Sequence, residues 1–257
     1  MPRWQEMTLV GLDTETTGLD VNQDRVFEVG LVTFEAGQEV HRFSPLLNPE
    51  RPMAPEASAK TGVKNEDLAD KPRFADVVDE FVSRINDKVL VGYNIIGFDL
   101  PILESEMKRM GRTLPACPIV DALVLARGLV KSGRHTLTDM VRHFGITMET
   151  AHRATADADA VVRLLYAMAP NLPPELSDLI RLQAQWGDEQ RARRASWRQR
   201  PDDAAEPVVV APAVAQPPED GRISLGPSYI YGTETDPLRA FLIGYCNTTP
   251  GTTNNGL

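Results

Sequence analysis

Asp13 and Glu15, two carboxylates separated by one residue, are the first groups in this chain that could do chemistry. In an extended backbone that spacing points both side chains to one face of a sheet. Like charges held so close repel unless a cation lies between them. The pair is therefore either a metal site or two solvated acids in a turn. A third acid, Asp99, ends the segment Asn94-Ile95-Ile96-Gly97-Phe98-Asp99, where an acid can also serve as a helix cap or dipole partner. The last group is His152-Arg153-Ala154-Thr155-Ala156-Asp157. Among the histidines at 41, 135, 143 and 152, only His152 has a carboxylate at this spacing. Asp159 lies two residues beyond Asp157, nearly opposite it on a helix, and is expected in solvent or as a cap. Clustered carboxylates are what an enzyme needs to meet phosphates through bound metal ions.

These residues must be positioned by regular elements. Thr8 to Leu12 and Val26 to Phe34 are short, β-branched and apolar, and Val40 to Phe43 offers a third strand. Asp13-Thr14-Glu15 directly follows the first of these, with Thr16-Thr17-Gly18 as a turn. Phe74, Val77, Val78, Phe81, Val82 and Ile85 recur at helical spacing behind Pro72. Val89 to Val91 reads as a buried strand, and Leu100 to Met110 as a helix that tolerates Pro101 in its first turn. A short strand near Ile119 precedes helical patterns at 121–130, 136–144 and 155–169. Strands first, then strand–helix alternation, give an α/β class with a mixed sheet covered by helices.

The chain has 257 residues, 42 % hydrophobic and 25 % charged, the ordinary balance of a globular protein. Net charge is −9, which argues against coating nucleic acid by bulk electrostatics but leaves a metal-dependent nuclease open. The longest apolar run, Val208 to Ala215, is broken by Pro212 and falls far short of the ~20 residues that span a bilayer. A glutamate stands where a signal peptide needs an apolar core, and Cys117 and Cys246 offer no disulfide framework, so a cytoplasmic location is expected. Four segments are expected: a domain over 1–170, a charged Arg-rich helix over 171–200, a Pro-rich linker over 201–221, and a C-terminal segment over 222–257. The second carries arginines at 191, 193, 194, 198 and 200 around Trp197, a solvated face or a strip that guides nucleic acid.

In order along the chain, VGLDTETTGLD, NIIGFDLPIL and AHRATADADA resemble the three motifs of the DEDDh (DnaQ-like) 3′→5′ exonucleases, the family of the proofreading subunits of bacterial replicative polymerases. The resemblance covers roughly residues 7–169 and includes PEASAKTGV and LADKPRFADVVDEF between motifs. It implies a ribonuclease H-like mixed five-stranded sheet flanked by helices, with a C-terminal helical and linker extension. It also implies that Asp13, Glu15, Asp99 and Asp157 bind two divalent ions, Mg²⁺ or Mn²⁺, and that His152 is the general base. Asp13 would bridge both ions, Glu15 and Asp157 would complete the first, and Asp99 would serve the second. Glu56 and Thr61 match positions that help hold the terminal nucleotide. Thr14, Thr16, Leu19, Asn94 and Phe98 fall in the segments that meet the substrate's sugar, base or backbone. One departure is Tyr93 where many members have histidine before the asparagine. The implied activity is release of nucleoside 5′-monophosphates from a DNA 3′ end, with the C-terminal segment as a polymerase or other protein contact. An exoribonuclease of the same fold and a catalytically silent binding module are the competing readings.

Overall fold

The computed structural model describes residues 3–147 and 153–198. Five strands form one sheet in the order β3-β2-β1-β4-β5: β1 (Leu9–Thr16), β2 (Val26–Glu35), β3 (Gln38–Phe43), β4 (Val89–Gly92) and β5 (Ile119–Asp121). β1, β2 and β3 form an antiparallel meander, while β1, β4 and β5 run parallel. The sheet is mixed, as the alternation of elements led one to expect.

β1 is longer than its apolar run. It continues through Asp13 and Glu15 to Thr16, so both acids sit inside the strand and not after it. The reason is pairing: β2 matches β1 residue for residue from Leu9↔Phe34 to Glu15↔Glu28, and an irregularity then re-seats Thr16 opposite Val26. Ladder bonds to a long neighbour thus override the polar side chains that a propensity reading takes as a strand's end.

Both faces of β1 are covered, as a central strand with parallel crossovers requires. On one face Leu9 packs with Val32, Phe34, Val89, Val91 and the helices α5 (Ala122–Leu129), α7 (Ala154–Met168) and α8 (Leu176–Arg198). On the other, Val10 and Leu12 pack with α3 (Phe74–Ile85) and α4 (Asp99–Arg109). The period of two assigns odd residues of β1 to the α7 side and even residues to the α4 side. Two short helices, α1 (Pro55–Thr61) and α2 (Asn65–Leu68), precede α3, and α6 (Leu137–His143) lies between α5 and α7.

Two glycines set how near α7 comes. A Cβ on Gly11 would stand 2.2 Å from the Ala158 carbonyl oxygen, and one on Gly30 would stand 2.2 Å from the Ala154 carbonyl carbon. Gly30 is the β2 partner of Asp13. The first turn of α7 therefore rests its backbone directly on the sheet beside that acid. Buried Glu28 reinforces the docking by pairing with Arg153, immediately before α7, at 3.1 Å. Asp159 does not face solvent: it is buried and accepts from Arg163 Nε at 2.7 Å, one turn on. Trp4 anchors the start of the described chain, its N–H and indole N–H donating to the carbonyls of Pro174 and Pro173 at 3.0 Å. Among the described residues no helix is long and apolar enough to cross a membrane.

Candidate active site

Asp13 and Glu15 project from β1 toward α7, whose first turn supplies Asp157. The three carboxylates each place an oxygen within 4.8 Å of the others. Burial and the neighbouring charges of Asp99, Asp157 and Glu15 hold the Asp13 carboxyl well above the usual range. Glu15 is raised too, by burial, against the opposing pull of the Lys60 ammonium from α1. Lys60 Nζ lies 3.5 Å from Glu15 Oε2, whereas the buried Oε1 of Glu15 has no hydrogen-bond partner among the described residues.

Thr14, between the two acids, turns to the opposite face. There its N–H and hydroxyl both donate to Asp99 Oδ1, at 3.0 and 2.7 Å. Asp99 is the first residue of α4 and is 4 % exposed. Burial pushes it up to about 7 even though the Thr14 bonds favour its charged form. The site therefore wraps around the end of β1, with three acids on one face and one on the other. The helix dipoles of α7 and α4 both present their positive ends to it, which moderates the accumulated negative charge.

The other residues singled out in the sequence scatter around this edge. Thr16 donates to the Gly18 carbonyl at 2.7 Å, and Leu19 is 86 % exposed on the following loop. Exposed Glu56 lies in the first turn of α1, and Thr61 at its end bonds back to the Ala57 carbonyl at 2.9 Å. Asn94 adopts φ +67° after β4, its N–H held by Asp121 Oδ1 at 3.0 Å, and Phe98 caps α4. Tyr93 donates its hydroxyl to the His135 carbonyl at 2.8 Å. Thr14 is buried behind the acids, so its hydroxyl positions Asp99. His152 lies outside the described residues, as do 201–257. Sequence reasoning missed Gly11, Gly30, the Glu28–Arg153 pair, Asp121 and Lys60. The glycines left a legible trace, since each interrupts a β-branched strand where a backbone must come close.

All donors are carboxylate oxygens, one of them buried and unpartnered, and the set repels itself. It fits a hard divalent cation. The exonuclease family model of the RNase T type matches residues 10–165. The chain belongs to this family of exonucleases. It is accordingly a 3′→5′ exonuclease and a phosphodiester hydrolase, of a family that depends on divalent metal. DNA polymerase III subunit epsilon of Treponema pallidum is 34 % identical over 167 residues, 64 % of this chain and 77 % of that one. A PolC-type DNA polymerase III of Oceanobacillus iheyensis is 31 % identical over 192 residues, 74 % of this chain but only 13 % of that much longer protein. Among solved structures, E. coli exonuclease I in complex with a dA16 oligonucleotide shares the fold at TM-score 0.57 and 18 % identity, over 64 % of this chain and 41 % of that one. Exonuclease X in complex with 5′ overhanging duplex DNA matches at TM-score 0.51 and 22 % identity, over 68 % and 98 %.

Proposed function

We propose that this exonuclease acts on DNA, removing nucleoside 5′-monophosphates one at a time from single-stranded or frayed 3′ ends, as a proofreading or repair activity. The observation that carries the reading is the convergence of Asp13, Glu15 and Asp157, with an unpartnered buried oxygen, at the end of β1. The similarity to an epsilon subunit over 77 % of its length supports the DNA substrate and a polymerase partner. Asp13, Glu15, Asp99 and Asp157 hold two divalent ions, Mg²⁺ or Mn²⁺, favoured by the all-oxygen donors. When bound, such ions activate water and neutralise charge on the reacting phosphate.

The chain's own residues do the rest. Thr14 keeps Asp99 turned toward the site. The tight seat of α7 on Gly11 and Gly30 fixes Asp157 beside Asp13. His152, which matches the family's general base, takes the proton of the attacking water; an imidazole, the side chain that ordinarily changes charge near neutral pH, suits that transfer. Glu56 and Thr61 on α1, with Leu19, Thr16, Asn94 and Phe98 around the edge, hold the terminal nucleotide. Residues 1–170 form the catalytic domain, 171–200 a helical extension and 201–221 a linker, with 222–257 as the partner contact, in the cytoplasm.

The test is a paired degradation assay. Single-stranded DNA and RNA of one sequence, 5′-labelled, are incubated with Mg²⁺, Mn²⁺ or EDTA. The expected result is a metal-dependent ladder shortening from the DNA 3′ end. A ladder on RNA alone would replace the substrate assignment, and intact strands in every lane would overturn the reading.

A further inference from the structure

Helix α8 lies beyond residues 10–165 that the family model covers, yet it is stitched to the sheet's far edge. Gln183 is buried; its Oε1 accepts from the Asp121 N–H at 2.7 Å and its Nε2 donates to the Ile119 carbonyl at 3.1 Å. Gln190 Nε2 donates to the Val124 carbonyl at 2.9 Å. Trp186 packs so tightly on α5 that a Cβ on Gly128 would meet its ring at 1.9 Å. These contacts seat α8 against the sheet's edge up to Gln190, and Arg191 and Arg194 follow within the next turn.

Between α8, the start of α5 and the turn after β4 opens a cleft of about 150 Å³. That is about five water volumes, enough for a phosphodiester and less than the ~300 Å³ at which small-molecule pockets begin. Asn94, Arg127, Arg191 and Arg194 line it. Arg191 is paired with Asp188. The carboxylate of Asp121 is occupied by the N–H groups of Asn94 and Leu123, both at 3.0 Å. Arg127 and Arg194 form no ion pair among the described residues. Burial, and then the charge of Arg194, push the Arg127 guanidinium below its ordinary range. Asp121, the acid that lines the cleft, is turned to those backbone N–H groups and ion-pairs with neither arginine among the described residues, so two guanidiniums sharing the cleft favour an anion, and the planar fork suits a phosphate.

Gly92 of β4 pairs with Asp121 of β5, and β4 pairs with β1 in the same parallel sense. The cleft and the carboxylate cluster therefore share the C-terminal edge of the parallel strands, where β1 and β5 lie two strand spacings, about 10 Å, apart. We propose that Arg127 and Arg194 form a second subsite that takes an internucleotide phosphate of the DNA strand whose 3′ end lies among the carboxylates. This rests on the DNA exonuclease reading above. In a chain of net charge −9, such a local cationic site is how the phosphate backbone is held.

The experiment measures binding of 5′-fluorescein dT12 and of dT2 to the full chain by anisotropy, in EDTA across a salt series. Wild type is compared with Arg194→Gln, Arg127→Gln, their double variant and Arg194→Lys, with circular dichroism as the folding control. For dT12 the slope of log K on log salt should fall by ~0.7 for each neutral replacement. The affinity of the double variant for dT12 should drop by ~10-fold or more, and its gain from dT2 to dT12 should shrink. Arg194→Lys, which keeps the charge, should retain most of the slope. A double variant with the wild-type slope and length dependence overturns the subsite. So does an equal proportional loss for dT2 and dT12, which would mark a contact to the terminal nucleotide. Because binding is read without turnover, a failed degradation assay and a failed subsite remain distinguishable.

Discussion

The two faces of β1 treat their carboxylates in opposite ways. On the α7 face, Asp13, Glu15 and Asp157 crowd together, with one buried Glu15 oxygen unpartnered among the described residues and the exposed Lys60 approaching Glu15 as a counter-charge. On the α4 face, Asp99 stands with two hydrogen bonds from Thr14. The first face is incomplete without a cation, whereas the second is a satisfied carboxylate held in readiness beside it. A strand's period of two produces both, because neighbouring residues of one D-T-E segment serve opposite sides of the sheet.

The largest effects should follow from breaking the crowded face. Asp13→Asn and Asp157→Asn should each lower turnover by ~1000-fold or more, while the metal-free protein melts higher because mutual repulsion is relieved. Steady-state kinetics and thermal denaturation in EDTA check both halves. A variant that loses activity and also stability would mean that the carboxylates are structural.

The satisfied face should respond more mildly. Thr14→Val leaves buried Asp99 short of its side-chain donor, costing about 1–3 kcal/mol of stability and lowering activity by ~10-fold as Asp99 loses its orientation. Thr14→Ser restores the donor and should recover most of both. Failure of serine to rescue would remove the positioning role.

The pH response has a definite sign. Asp99, raised to about 7, and Asp13, raised well above the usual range, keep their protons in the folded state at pH values where the unfolded chain has lost them. Both contributions are fully present below the unfolded value near 4; that of Asp99 is lost as pH rises through about 7, and that of Asp13 as pH rises through its own raised folded value. Metal-free protein should therefore melt lower at pH 8 than at pH 5, by ~5 °C, and a divalent ion should stabilise it more at pH 8. Calorimetry with and without Mn²⁺ reads this directly; a larger metal effect at pH 5 would reverse the assignment.

The smallest effect concerns Lys60, whose ammonium approaches Glu15 from α1. Lys60→Met removes a competing cation, so Mn²⁺ should bind ~2- to 3-fold more tightly, as a titration would detect. Unchanged affinity would mean that this exposed pair contributes nothing at the site.

Much of this comparison was legible before any coordinates. The D-x-E spacing placed Asp13 and Glu15 on one face, and the downstream H-x4-D placed Asp157 at the start of a helix. The motif alone groups Thr14 with the substrate contacts; what it does not show is the Asp99 partnership, which alternation along β1 brings about. The true extent of β1 was hidden because pairing with β2, not side-chain propensity, carries it through its acids. Asp159 was misread because Arg163, one turn on, neutralises it and allows its burial. The docking of α8 was illegible for a different reason. It depends on a hole at Gly128 and on Gln183 reaching β5, both long-range matches with no periodic trace.

The most direct test of the central claim is a calorimetric titration of Mn²⁺ into the full chain at pH 7.5, beside Asp13→Asn. The account predicts saturable binding to wild type and its loss in the variant, with folding intact by circular dichroism. Equal Mn²⁺ binding by both proteins would contradict it, because the crowded face of β1 would then not be where the ion is held.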